Sequence, residues 1–126
     1  MLAEFIAMTR SEPFEWGRND CALWCSSAVE YKIGFDPACD LRGTYSTWFE
    51  CRNIVIKAGG LLALVSDRMT HDRLCDLHGD GFAILKLGGQ RICGLILEGR
   101  AIVKTQSGIR IADDFKVLRG WSCRKQ

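Results

Sequence analysis

Proline and histidine are scarce in this sequence, with two of each in 126 residues. So little proline excludes a Pro-rich linker, and a hydrophobic content of 48% excludes an intrinsically disordered chain. Long apolar runs are also missing. The longest uncharged stretches, such as residues 58–66, fall far short of the ~20 apolar residues that a membrane span requires. The opening MLAEFIAMTR lacks a basic leader and places Glu4 inside its apolar run, so it does not read as a secretory signal. No two of the seven cysteines form a CxxC pair, which removes the signature of a zinc ribbon or a thioredoxin-like site. What is left is one ordinary globular domain of 14.1 kDa, large enough to bury a core without a disulfide or metal staple.

The seven cysteines are Cys21, Cys25, Cys39, Cys51, Cys75, Cys93 and Cys123, and an odd total leaves at least one free thiol. Cys25, Cys51 and Cys93 lie in apolar stretches where a thiol behaves as a small hydrophobe, so the chain reads as reduced and cytosolic when made. The net charge of +2 is unevenly spread. Residues 1–99 carry 10 basic and 13 acidic side chains, whereas residues 100–126 carry 7 basic and 2 acidic. A basic C-terminal quarter suits an acidic partner or nucleic acid, but without interleaved aromatics it reads as a solvated face.

Apolar periodicity predicts helices over 1–8, 20–32, 46–58 and 61–67, with a loop over 11–19. The second of these has its start and stop written in the sequence. Asn19 or Asp20 is a natural N-cap and Gly34 a left-handed stop, and apolar residues almost all round mark it as buried. From residue 81 the pattern changes to short apolar runs at 81–87, 91–97, 101–105, 109–111 and 115–121. Glycine hairpin signals separate the first four of them. Helices followed by an antiparallel meander predict an α+β domain spanning residues 1–126.

Chemistry concentrates in PFEWGRNDCALWCSSAV, residues 13–29. Cys21 falls in the first turn of the buried helix, where free N–H groups and the helix dipole favour a thiolate. The same N–H groups can serve as an oxyanion hole in acyl transfer. Asp20 opposes a thiolate if its charge lies near the sulfur, and as a cap it points at the backbone instead. The other reading of Cys21 is a structural core thiol. Trp16, in the adjoining loop, either lines a groove or packs beneath the loop, while Trp24, Trp48 and Trp121 read as core anchors.

This segment resembles the nucleophile segment of the NlpC family of papain-like cell-wall cysteine peptidases. The chain as a whole resembles small phage-encoded NlpC-like proteins associated with tail assembly. The matching pieces are PFEWGRNDCALW at 13–24, LRGTYST at 41–47, AGGL at 58–61, Gly79-Asp80, and CGLILEGR at 93–100. The resemblance implies a papain-like fold with Cys21 as nucleophile and a general-base histidine at the start of the second strand. That position reads Ile92, which has no proton to exchange. The orienting position on the following strand offers only Lys104 or Thr105. A thiol nucleophile without its base loses most of its power, because such groups act as a unit.

Two other arrangements stay open: His78 reaching Cys21 through a rearranged loop, and Cys21 acting as a thiolate without a base. A second constellation lies in THDRLCDLHGD. If that segment is helical, His71, Cys75 and His78 share one face as metal ligands; if it is an exposed loop, they need no such role.

The resulting expectation is a structural or assembly subunit of a phage tail tip or baseplate on a degenerate peptidase fold, without hydrolase activity. Its partners would be other tail proteins, with peptidoglycan a further candidate. It calls for no cofactor, nucleic acid or membrane span, and its location would be the host cytoplasm and then the virion tail. The alternatives are an active endopeptidase or amidase on peptidoglycan peptides using Cys21, and a metal or iron–sulfur binding tail component.

Overall fold

A computed structural model describes residues 2–124. Four helices come first: α1 Leu2–Thr9, α2 Cys21–Ile33, α3 Trp48–Lys57 and α4 Leu61–Arg68. Six strands follow: β1 Leu74–Asp76, β2 Gly81–Leu87, β3 Gln90–Leu97, β4 Arg100–Thr105, β5 Gly108–Ala112 and β6 Lys116–Cys123. The domain is therefore α+β, with one antiparallel sheet. Met1, included in the first expected helix, lies outside the described residues.

The ends of α2 are set as its sequence predicts. The Asp20 carboxylate accepts the Leu23 N–H, and Gly34, at φ 73°, turns the chain out through an N–H bond to the Glu30 carbonyl. α3 is capped by the Thr47 hydroxyl, which accepts the Glu50 N–H, and the Glu50 carboxylate returns a bond to the Ser46 N–H.

The sheet differs from a simple meander. Its order is β1-β6-β2-β3-β4-β5, so β6 returns to the far side of β2 instead of continuing beyond β5. The short strand β1, read in sequence as loop or helix, forms the edge through its register with β6, Cys75 opposite Ser122. Only three residues, 113–115, join β5 to β6. Four interstrand spacings would separate those strands by about 19 Å in a flat sheet, whereas the connection spans at most about 14 Å. The sheet must therefore be rolled.

Rolling accounts for the near-continuous apolar strands, which are buried on both faces. On one face Phe82, Ile84, Cys93, Leu95, Ile102 and Trp121 pack with Phe5, Trp24, Cys25, Ala28 and Val29 of α1 and α2. On the other, Ala83, Leu85, Leu87, Ile96, Ala101, Val103 and Ala112 form a second core inside the roll, partly closed by Cys21, Ile92, Leu77 and Phe115. Trp24 is wholly buried, and its indole N–H donates to the Thr9 hydroxyl at 2.8 Å, tying α2 to the end of α1. No helix among the described residues is long and apolar enough to cross a membrane.

Candidate functional site

The start of α2 lies at the mouth of the roll. Cys21 and Ile92 line one hollow there together with Phe14, Trp16, Lys104 and Arg110. Ile92 and Cys21 are both half-buried residues that pack on the inner core, and the Cys21 thiol itself is turned away from water. Trp16 stands edge-on to Phe14, with ring centroids 4.9 Å apart, and the two form an aromatic wall. Cys21 and Ile92, the positions where the resemblance expects a nucleophile and a base, are thus brought to the same place by two elements 71 residues apart in sequence.

Asp20 sits behind this hollow and is 1% exposed. Its Oδ1 accepts the Leu23 N–H at 3.0 Å, and its Oδ2 accepts the Gly17 N–H at 3.0 Å and the Tyr45 hydroxyl at 2.5 Å. Three donors satisfy the carboxylate at the positive end of α2 without a cation. It is a positioning group that pins the loop before α2 and the segment before α3 to the helix start. Gly17 is required there: its φ is +80°, and a Cβ would collide with the Tyr45 carbonyl. Tyr45 went unrecognised in the sequence, because its only trace there is its place in LRGTYST.

The electrostatics run against the expectation for a cysteine in a first helical turn. The Cys21 thiol is pushed up to about 12 by burial and then by the neighbouring Asp20 charge; hydrogen bonds from the backbone of Cys93 and Ala22 pull the other way and do not prevail. Desolvation outweighs the helix terminus. Burial also pushes up the thiols of Cys25 and Cys93.

This has a consequence for stability. A thiol whose folded pKa lies above its unfolded value stays protonated in the native state while the unfolded chain loses its proton. The resulting loss of stability begins as pH rises through the unfolded value near 9 and is complete only above about 12. At pH 10, Cys21 alone is expected to cost about 1.4 kcal/mol relative to pH 7. Urea midpoints followed from pH 7 to pH 10.5 should fall above pH 9; a flat profile would contradict the buried, protonated thiol.

Lys104 is a second departure. It belongs to the basic C-terminal quarter that read as a solvated face, yet it is 2% exposed. Strand β4 carries it inward, and its ammonium donates to the Glu12 carbonyl, with burial lowering its pKa. It and Thr105 reach the hollow, but the Thr105 hydroxyl is taken up by the Gly108 carbonyl and the Ser107 N–H, and neither replaces an imidazole.

The remaining candidates lie elsewhere. His78 does not line the Cys21 hollow; its Nδ1 is 3.2 Å from the Asp76 carbonyl oxygen. The segment from His71 to His78 is not helical: it contains β1 and turns, so its i, i+4 and i+7 positions share no helix face. His71 stacks on Phe35 at 4.8 Å and accepts the Arg73 N–H at Nδ1, while Cys75 lies by His78. Among the described residues no group of three or more His, Cys, Asp or Glu side chains could hold a metal ion. All seven cysteines are free thiols.

No curated protein and no solved structure matches the chain. The family model for a domain of unknown function, DUF6950, matches residues 1–123. By that match, covering nearly its whole length, the chain belongs to the DUF6950 family.

Proposed function

We propose that this domain is a degenerate NlpC-type, papain-like cysteine peptidase fold that serves as a structural or assembly subunit of a phage tail tip or baseplate and has no hydrolase activity. One observation carries the catalytic half of this reading: Cys21 faces a hollow whose base position holds Ile92, and its thiol is pushed up to about 12. Acyl transfer by a cysteine needs a thiolate and a proton acceptor near neutrality, and this hollow supplies neither. The helix start, the roll and the aromatic wall persist as architecture. The assignment to a tail is carried by the resemblance of the sequence pieces at 13–24, 41–47, 58–61, 79–80 and 93–100 to the phage-encoded proteins.

The test has two arms. Purified protein incubated with peptidoglycan is expected to release no stem-peptide fragments above the level of Cys21→Ala; release that depends on Cys21 overturns the reading. In the encoding phage, deletion is expected to abolish infectious tails, with the chain detected in purified virions and Cys21→Ala restoring full titre. Normal tails from the deletion would refute the assembly role, and a failure of Cys21→Ala to complement while it folds would refute the absence of thiol chemistry.

A further inference from the structure

The hollow at Cys21 lacks a base, yet a thiol and an imidazole do meet elsewhere, on the edge strand. The Cys75 sulfur lies 3.8 Å from His78 Nδ1. Cys25 and Cys93 are wholly buried, and burial pushes up the thiols of Cys21, Cys51 and Cys123. Cys39 is exposed, but Cys75 is the one cysteine among the described residues with a histidine ring nitrogen within hydrogen-bond reach.

The backbone holds the pair together. Cys75 is fixed opposite Ser122 by the β1–β6 register. Ser122 then clamps the turn that carries the imidazole: its hydroxyl accepts the His78 N–H at 3.0 Å and lies 3.1 Å from the His78 carbonyl and 2.8 Å from that of Asp80. The imidazole is exposed while the sulfur is half-buried, so a small reagent can approach. Among the described residues β1 is the outermost strand, with β6 on one side and none on the other.

We propose that Cys75 and His78 form a reactive thiol–imidazole pair and that Cys75 is a site of modification by low-molecular-weight disulfides. At rest the thiol donates to the Ser122 carbonyl at 3.5 Å. On activation its proton passes through solvent to Nε2 of the exposed His78 ring, and the Nδ1–H of the resulting imidazolium lies between the thiolate and the Asp76 carbonyl. The thiolate attacks one sulfur of a disulfide R–S–S–R. A Cys75–S–S–R bond forms, the R–S–S–R bond breaks, and the departing thiolate takes the imidazolium proton and leaves as R–SH. Cys75 is oxidised and the departing sulfur is reduced, so the exchange balances without another oxidant. The charged groups nearby are Arg73 and Asp76 on the same segment, Asp80 in the turn, and Lys32 of α2, which with Arg73 lies near Cys123.

The test uses the full chain and oxidised glutathione, with peptide mapping by mass spectrometry. The first adduct in the folded protein is expected on Cys75, and Cys75→Ser should remove it. His78→Asn, which keeps the backbone clamp, should slow it about tenfold at pH 7 while leaving the urea midpoint in place. The variant's rate should climb with pH as that of an unassisted thiol does, whereas the wild-type rate should be much flatter. A first adduct on Cys39, or equal rates and equal pH profiles for wild type and His78→Asn, would overturn the proposal. If His78→Asn shifts the urea midpoint, the wild-type pH profile alone decides: a flat profile supports the pair, and a log-linear rise overturns it.

Discussion

Replacing Asp20 with alanine is expected to cost about 3–5 kcal/mol of stability, a large share of what a domain of this size possesses. The figure is built from the three donors that the carboxylate accepts. Loss of the N-cap bond to Leu23 costs about 1 kcal/mol. The buried Gly17 N–H and Tyr45 hydroxyl are then left without the acceptor they were folded around, at about 1–3 kcal/mol each. Cys51 lies close to the Tyr45 hydroxyl, so the loss at Tyr45 should fall short of the upper limit. Asp20→Asn retains one acceptor oxygen but turns an N–H toward donors, so it should lose about half as much. Urea denaturation of the three proteins at pH 7 measures both differences. A loss under about 1 kcal/mol for Asp20→Ala would mean that the carboxylate is not what fastens loop, helix and Tyr45 together. The variant also bears on Cys21, since the Asp20 charge helps to keep that thiol protonated.

How far each feature could be read from sequence depends on how far away its cause lies. The ends of α2 were legible because the cap and stop residues, Asp20 and Gly34, act on backbone within four residues of themselves. The hairpins joining β2 to β3 and β3 to β4 were legible for the same reason: Gly88-Gly89 and Glu98-Gly99 carry the positive φ values that the turns require. By contrast, β1 has three residues and no apolar alternation. It exists because β6 lies beside it 47 residues later, which no local window contains. The return of β6 to β2 was hidden likewise, since the sequence shows only a short gap after β5, and strand order follows from the rolling of the whole sheet. Within the site, only a resemblance linked Cys21 to Ile92, which do line one hollow, and the state of the thiol was not legible at all. A helix start argues for a thiolate, and only burial in the assembled roll reverses that sign. Lys104 makes the same point. A lysine in a basic tail reads as solvated until β4 is seen to carry it under the loop at Glu12.

The second large effect concerns position 92, where the resemblance expects a general base. Ile92→His is expected to raise the alkylation rate of Cys21 by iodoacetamide at pH 7 by at least about 100-fold. With the thiol pushed up to about 12, the thiolate fraction at neutral pH is about one part in 10⁵. An imidazole in the shared hollow would offer a proton acceptor, and its cation would offset the Asp20 charge. Cysteines paired with histidine in other proteins have pKa values several units lower, so recovery of even the ordinary value accounts for the predicted gain. Position 92 is only half-buried, so the new ring can keep one nitrogen toward solvent and avoid most of the cost of a buried cation. Ile92→Gln, which is polar and similar in size but has no titratable group, should leave the rate within a few-fold of wild type. That control separates proton transfer from simple loosening of the inner core around Leu85 and Val103. Equal gains in both variants would point to loosening, and no gain in Ile92→His would show that a side chain at position 92 does not reach the Cys21 sulfur. A gain confined to Ile92→His would mean that the hollow lacks a base only because of the residue that occupies this one position on β3.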